Sequence, residues 1–313
     1  MAQEKGNLIL GWDVGGTTCA AVAATRGGDI IAREAWASQV HRGPEAMLAD
    51  FLHHARRLRE PYPAIDAVGV SIGGPLNAKT GVILSPPHLP DWDNVPLRDR
   101  LTNELHLPVV VEHDAAACLL AEVLWGAAKD CTHAAYLTCG TGFGAGLLIG
   151  GRIVYGPEGQ SPELGHVRLA ADGPDMYSKP GCAESFCSGE GIGKLAHWMF
   201  PRTFPQATDT KTLHDLVKQG GAEAKAVLAE SARRTGQACS ILADLFAPRV
   251  IVLGSLARYF GESWVHQVRE AMNIEALPIH AAHTKIVPAA LGEQLQDLSA
   301  VAPCMWAEFI KNP

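Results

Sequence analysis

With 313 residues, 47% of them apolar, the chain is long enough for two domains with real cores and too apolar for a disordered polymer. Its 26 basic and 33 acidic residues are interspersed and leave a net charge of −7, which argues against a basic nucleic-acid surface. No apolar stretch approaches the roughly 20 residues of a membrane span, the polar opening lacks the long apolar region and cleavage site of a signal peptide, and eight cysteines in mostly apolar segments read as buried free thiols, so a cytoplasmic protein without membrane partners is expected.

In chain order, LILGWDV (8–14) predicts a buried strand that ends at Gly15-Gly16. AAVAAT (20–25) and IIAREAWA (30–37) predict two more strands around a glycine turn. Met47, Leu48, Phe51 and Leu52 sit at helical spacing within 44–59. AIDAVGVSI (64–72) is a strand ending at Gly73-Gly74-Pro75, and Pro96 opens a helix over 96–106. VVVE (109–112) is a strand, and 115–128 a helix. AAYLTCG (134–140) is then a strand ending in a second glycine turn, and AGLLIGG and RIVYG follow as two short strands. The events of residues 8–36 have recurred, which is an internal repeat headed by Gly15 and Gly140. The chain turns helical from about Gly189 to Leu245; RVIVLGSLA (249–257) and TKIVPAAL (284–291) are strands, and a terminal helix runs from Leu298 to Ile310. This alternation implies an α/β fold with two related lobes and a boundary within 113–135.

Four stretches could carry chemistry. In DVGGTT (13–18), Gly15 and Gly16 have no Cβ, so backbone amides can approach an anion, while Thr17 and Thr18 add hydroxyls. Asp13 suits a magnesium ion held through its waters. An ordinary hairpin turn is the alternative. TCGTGFG (138–144), with Gly140, Thr141 and Gly142, repeats that chemistry in the second lobe, and two such hairpins can hold a polyphosphate. Neither is a P-loop nor a dinucleotide fingerprint. In EHDAAACLLAE (112–122), Asp114 ends a strand and opens a helix, so it is an N-cap, a general base, or both. SIGGPLN (71–77) is a tight turn that could approach a ligand or serve only as a turn.

Taken in order, DVGGTT, GVSIGGP, WDNVPL, VVVEHDAAACLLAEVLWGAA, YLTCGTGFGAGLLIGGRIVYG, ELGH, GCAE and IVLGS resemble the ROK family of repressors and bacterial sugar kinases over nearly the whole chain. The resemblance implies a two-lobed actin-like ATPase (ribonuclease H-like) fold, with duplicated βββαβαβα lobes and an active-site cleft between them. Residues 1–115 plus a C-terminal helix of about 298–313 would form the smaller lobe, and 116–297 the larger. It implies phosphoryl transfer from ATP, with magnesium, to a hydroxyl of a hexose, glucose above all. Asp114 would be the base. Gly74, His113, Glu163, His166 and Glu184 would hold the sugar together with Asp114, both glycine hairpins the phosphates, and Gly254 the adenosine side. A homodimer is also implied. Only about seven residues precede the first strand, too few for a helix-turn-helix, so no nucleic-acid partner is expected.

The chain departs from the family's pattern in places. Thr18 stands where a lysine is usual, and EHDAA replaces ENDAN, so His113 and Ala116 stand for asparagines. An imidazole offers fewer simultaneous donors and acceptors than a carboxamide. Of the family's zinc ligands, one histidine and three cysteines, only His166 and Cys182 remain, with Asp175 and Tyr177 at the other two places. Tyrosine is a poor zinc ligand, so zinc is not expected. A kinase for fructose, allose, N-acetylmannosamine or N-acetylglucosamine is one alternative. A regulatory sugar-binding protein with weakened catalysis is another, and an actin-like assembly protein is disfavoured by ELGH and GCAE.

Overall fold

The computed structural model describes residues 7–206 and 208–311. Residues 1–6, whose polarity argued against a signal peptide, lie outside them. The chain forms two units. The first takes the chain up to Lys129, then Val154–Ser161, then the chain from Leu291 on; the second holds Asp130–Ile153 and Pro162–Ala290.

The first unit begins with β1 (Leu8–Val14), β2 (Thr18–Thr25) and β3 (Ile30–Ala37), followed by α1 (Gly43–Arg59) and β4 (Ile65–Ile72). A small sheet of β5 (Leu76–Asn77), β6 (Val82–Leu84) and β7 (Asp93–Pro96) precedes α2 (Leu97–Leu105), β8 (Val109–His113) and α3 (Asp114–Trp125). The main sheet has the order β3-β2-β1-β4-β8, antiparallel across its first three strands and parallel from β1 onward.

Strand β1 shows why the segment reads as an unbroken apolar run. Leu10, Trp12 and Val14 pack towards Met47, Phe51 and Leu101, with Trp12 stacked on Phe51 at 4.2 Å between ring centroids. Ile9 points to the other face, with Val22, Ala24, Val301 and Cys304. A strand covered on both faces loses its polar alternation. The cover on that second face includes the terminal helix Leu295–Lys311. It lies so close to β4 that a Cβ on Gly69 would come within 2.0 Å of the Ala300 carbonyl oxygen.

The second unit repeats the plan. Strands β9 (Ala134–Leu137), β10 (Ala145–Ile149) and β11 (Arg152–Ile153) are followed by a hairpin of β12 (Asp175–Met176) and β13 (Lys179–Pro180). Helices α4 (Ala183–Cys187), α5 (Gly189–Met199), α6 (Thr210–Lys218) and α7 (Ala222–Phe246) lead to β14 (Val250–Leu253). Helices α8 (Ser255–Phe260), α9 (Glu262–Glu275) and α10 (Pro278–His283) lead to β15 (Lys285–Pro288). Its sheet order, β11-β10-β9-β14-β15, has the same succession of antiparallel and parallel pairs as the first. The internal repeat is therefore structural.

Several boundaries differ from the sequence reading. The strand expected through Gly140 ends at Leu137, and that expected through Ala257 ends at Leu253, because α8 starts at once after Gly254. The helical run from Gly189 is not continuous: α5 ends at Met199, just before Pro201 and Pro205, which lack backbone donors, and α6 starts at Thr210. Helix α9 was not anticipated, although Trp264, Val265, Val268 and Met272 form a buried face. All eight cysteines are free thiols, buried except for the half-buried Cys131. Among the described residues no helix is long and apolar enough to cross a membrane.

Candidate active site

In the first unit, β1 delivers Asp13 to the mouth of the first glycine turn. Gly16, Thr17 and Thr18 are exposed there. The carbonyl of Gly15 accepts the Ser38 hydroxyl at 2.6 Å, and the carbonyl of Thr17 accepts the Ser38 amide at 3.0 Å, so β3 braces the turn from behind. The amides of Gly16 and Thr17 have no hydrogen-bond partner among the described residues. The Asp13 carboxyl is pushed up to about 8, first by burial, then by the charges of Asp114 and Asp297, with Arg33 opposing. Asp297 accepts Arg33 Nε at 2.8 Å through Oδ2, while its buried Oδ1 has no partner. Such negative charge favours a cation nearby, but the three carboxylates do not form a ligand cluster. Magnesium asks for one or two carboxylates and keeps its waters, so Asp13 fits that role. Asp297 was missed because the terminal helix was expected to start at Leu298; it starts at Leu295, which places Asp297 in its first turn.

Strand β8 passes directly into α3, with His113 at the N-cap and Asp114 as the first helical residue. Asp114 Oδ1 accepts the Ala115 amide at 2.6 Å, which fixes the carboxylate, while the side chain stays about half exposed at 45%. The N-cap reading of Asp114 is not met, because His113 holds that position and Asp114 takes the amide of the residue next to it; its carboxylate remains open to solvent. His113 is only 6% exposed, and its Nδ1 has no hydrogen-bond partner. The nearest carboxylate oxygen, Asp114 Oδ1, lies 3.5 Å away, an electrostatic contact at the outer limit of a hydrogen bond. Gly74 packs so closely on this ring that a Cβ there would approach His113 Cδ2 to 2.7 Å. A Cβ on Gly73 would lie 3.9 Å from Asp114 Oδ2, so the turn after β4 borders both residues. Behind them, the buried Glu112 accepts the Tyr155 hydroxyl, and its Oε1 accepts the His113 amide at 2.8 Å. Burial raises the Glu112 carboxyl above its usual range.

In the second unit, the turn after β9 is tied down differently. The Gly144 amide donates to Thr138 Oγ1 at 2.8 Å, and the Gly140 amide donates to Gly142 O at 3.0 Å. The Gly140 carbonyl accepts the first amide of α5, that of Gly189, at 2.7 Å. The amides of Thr141 and Gly142 have no partner among the described residues. Gly254 sits beneath this turn, where a Cβ would come within 1.9 Å of the Thr138 carbonyl oxygen.

Glu184 gathers the remaining residues. It lies in α4 at 7% exposure. Its carboxylate borders Gly142 of the glycine turn and Gly165 of the ELGH turn, at 3.5 and 3.0 Å from where their Cβ atoms would stand. Glu163 and His166 flank Gly165 and are both exposed, with the His166 amide bonded to the Glu163 carbonyl at 3.2 Å. Glu163, His166, Glu184 and Gly142 are thus neighbours, as Gly74, His113 and Asp114 are in the first unit.

The residues aligned with zinc ligands have other occupations. Asp175 Oδ1 accepts the Ser178 amide at 3.0 Å. The Tyr177 hydroxyl donates to Glu184 Oε1 at 2.9 Å, and its ring stacks on His166 at 5.4 Å between centroids. Cys187, which lies beyond GCAE and at none of the aligned positions, is buried, its thiol pushed up to about 12 mainly by burial. This donor set does not fit a tetrahedral zinc site. Among the described residues no group of three or more His, Cys, Asp or Glu is placed to hold a metal ion.

The ROK family profile matches residues 9–297. The chain is 27% identical over 307 residues to a glucokinase of Thermotoga maritima, a match that covers 94% of this chain and 96% of that protein. It is similar to a ROK hexokinase structure from Thermus thermophilus at 29% identity, with a TM-score of 0.82, covering 98% of this chain and 100% of that one. It is also similar to a ROK glucokinase from Streptomyces griseus in complex with glucose and AMPPNP, at 27% identity and a TM-score of 0.80, covering 94% and 97% of the two chains. The mixed α/β architecture with two sheets of the same order is the actin-like ATPase fold that the motif order implied.

Proposed function

The chain belongs to the ROK family, and on that premise we propose that it is an ATP-dependent carbohydrate kinase acting on a hexose, with glucose as the preferred substrate. The observation that carries this reading is the junction of β8 and α3. There a carboxylate is fixed on one oxygen by the Ala115 amide and borders a buried imidazole with an unpartnered nitrogen.

In this reading, Asp114 accepts the proton of the attacking sugar hydroxyl. The hydroxyl oxygen forms the new bond to the γ-phosphorus, the bond from that phosphorus to the bridging oxygen breaks, and ADP leaves with the electron pair. His113, Gly74, Glu163, His166 and Glu184 hold and orient the hexose. The exposed turn of Gly15, Gly16, Thr17 and Thr18 and that of Gly140, Thr141 and Gly142 offer amides to phosphate oxygens, the chemistry that glycine turns allow. Gly254 admits the Thr138 carbonyl beneath the second turn, and in this reading it lies on the adenosine side. Magnesium, held by Asp13 through its waters, would neutralise phosphate charge. A homodimer belongs to the same proposal. The exposed Leu245, Ile274, Leu277 and Ile279 of the second unit offer apolar surface for it, and sedimentation velocity checks the mass.

The test is ADP release with Mg-ATP across glucose, fructose, mannose, allose, N-acetylglucosamine and N-acetylmannosamine. Highest kcat/KM on glucose supports the full reading. A higher value on another hexose keeps the kinase and replaces the substrate. Hexose binding without turnover on any of them would move the protein to the regulatory alternative, and His113 in place of asparagine would be the first suspect.

A further inference from the structure

We propose that Tyr177 is a positioning residue for the sugar, holding Glu184 with its hydroxyl and His166 with its ring. The inference rests on the reading of Glu184 and His166 as sugar-binding residues and deepens it.

The local backbone motivates the idea. Strands β12 and β13 pair Asp175 with Pro180 and Met176 with Lys179, which leaves Tyr177 and Ser178 as a two-residue turn. Both have positive φ, 56° and 58°. A turn with two left-handed residues favours Asn-Gly, and a bulky tyrosine there is a conformational cost. Strain of this kind persists where the surroundings demand it, and it directs attention to what the side chain does. Asp175 supports the turn by accepting the Ser178 amide.

The Tyr177 side chain has two engagements. Its hydroxyl donates to Glu184 Oε1 at 2.9 Å, and its ring lies 15° from parallel to that of His166. Lys179, on the other arm of the hairpin, donates to the His166 carbonyl. The short hairpin thus grips His166 at ring and backbone. Burial and then the charge of Glu184 raise the phenol above its ordinary range, so Tyr177 stays a proton donor at neutral pH. Glu184 is buried and Tyr177 is 43% exposed, so the hydrogen bond orients the less accessible partner from the solvent side. A carboxylate held this way at Oε1 has a fixed orientation, which is what recognition of a sugar diol requires.

The experiment is a double-mutant cycle of Tyr177→Phe and Glu184→Gln, with whichever hexose of the panel gives the highest kcat/KM. Tyr177→Phe should raise the hexose KM about tenfold, the order expected for loss of a hydrogen bond to a charged group. KM for ATP, kcat and the melting temperature should stay put, because the ring and the turn are kept. In the Glu184→Gln background, Tyr177→Phe should add little, since its partner has already changed. An unchanged hexose KM in Tyr177→Phe, with a raised one in Glu184→Gln, overturns the proposal and leaves the sugar reading standing. An unchanged hexose KM in Glu184→Gln removes the sugar reading, and the proposal with it. Parallel rises in both KM values with a lower melting temperature would mean that Tyr177 is merely structural, which also overturns it.

Discussion

The two glycine turns occupy equivalent places in two sheets of the same order, yet they are built differently. The first keeps every non-glycine residue of 13–18 at negative φ and is braced by the Ser38 side chain and amide. The second contains Cys139 at φ 38° and is strapped to α5 through the Gly140 carbonyl. The first is charged, with Asp13 among Asp114 and Asp297; the second carries no carboxylate of its own and borders Glu184 instead. The same backbone frame occurs twice, with the carboxylates of Asp13, Asp114 and Asp297 gathered at one copy and Glu184 at the border of the other.

That contrast can be broken at the glycines. A Cβ on Gly15 would stand 2.5 Å from the Thr18 carbonyl oxygen, whereas one on Gly142 would meet Glu184 Oε1 at 3.5 Å, an ordinary contact. Gly15→Ala should destabilise the first unit by about 1–3 kcal/mol, the range for forced crowding. Gly142→Ala should leave the melting temperature unchanged and raise KM for ATP roughly tenfold, as expected if a phosphate loses amide contact. Calorimetry and steady-state kinetics on both variants check the pair, and equal melting temperatures would contradict it.

His113→Asn sharpens the comparison on the sugar side. It removes the ring packed on Gly74 and restores a carboxamide. The ratio of kcat/KM for glucose to that for N-acetylmannosamine should shift by about tenfold, the usual worth of a reshaped pocket contact. The same ratio in both proteins would take His113 out of specificity.

The smallest effect concerns charge in the first turn. A carboxyl raised from 3.8 to about 8 in the fold stabilises it most when protonated. That stability is fully present below the unfolded pKa and is lost as pH rises through the folded one. Asp13→Asn carries no charge at any pH, so its melting temperature should gain on the parent between pH 6 and pH 9 without magnesium. The gain at pH 9 should be about 1 kcal/mol or more, roughly 2–4 °C per kcal/mol for this size. A difference independent of pH would show that Asp13 does not titrate as described.

Much of the frame was legible because buried strands ending in glycine announce themselves. LILGWDV and VIVL read as apolar runs for the reason seen at Ile9 and Trp12, cover on both faces. The order of the elements was legible for the same reason. Strands of two residues, such as β5 and β12, have no period to read, so the small sheet and the Tyr177 hairpin were invisible. Asp297 was hidden by distance along the chain: its place near Asp13 exists only because the terminal helix returns to the first sheet. The engagement of Tyr177 with Glu184 depends on two positive φ angles that no residue type there would suggest.

The most direct test of the account is a single-turnover measurement of phosphoryl transfer by Asp114→Asn beside the parent, with Mg-ATP and hexose bound before mixing. Asparagine keeps an acceptor for the Ala115 amide, so the junction of β8 and α3 should hold. The account predicts a chemical step slower by about 10²–10⁴, with hexose binding retained. A chemical step as fast as the parent's would contradict it and remove Asp114 from the reaction.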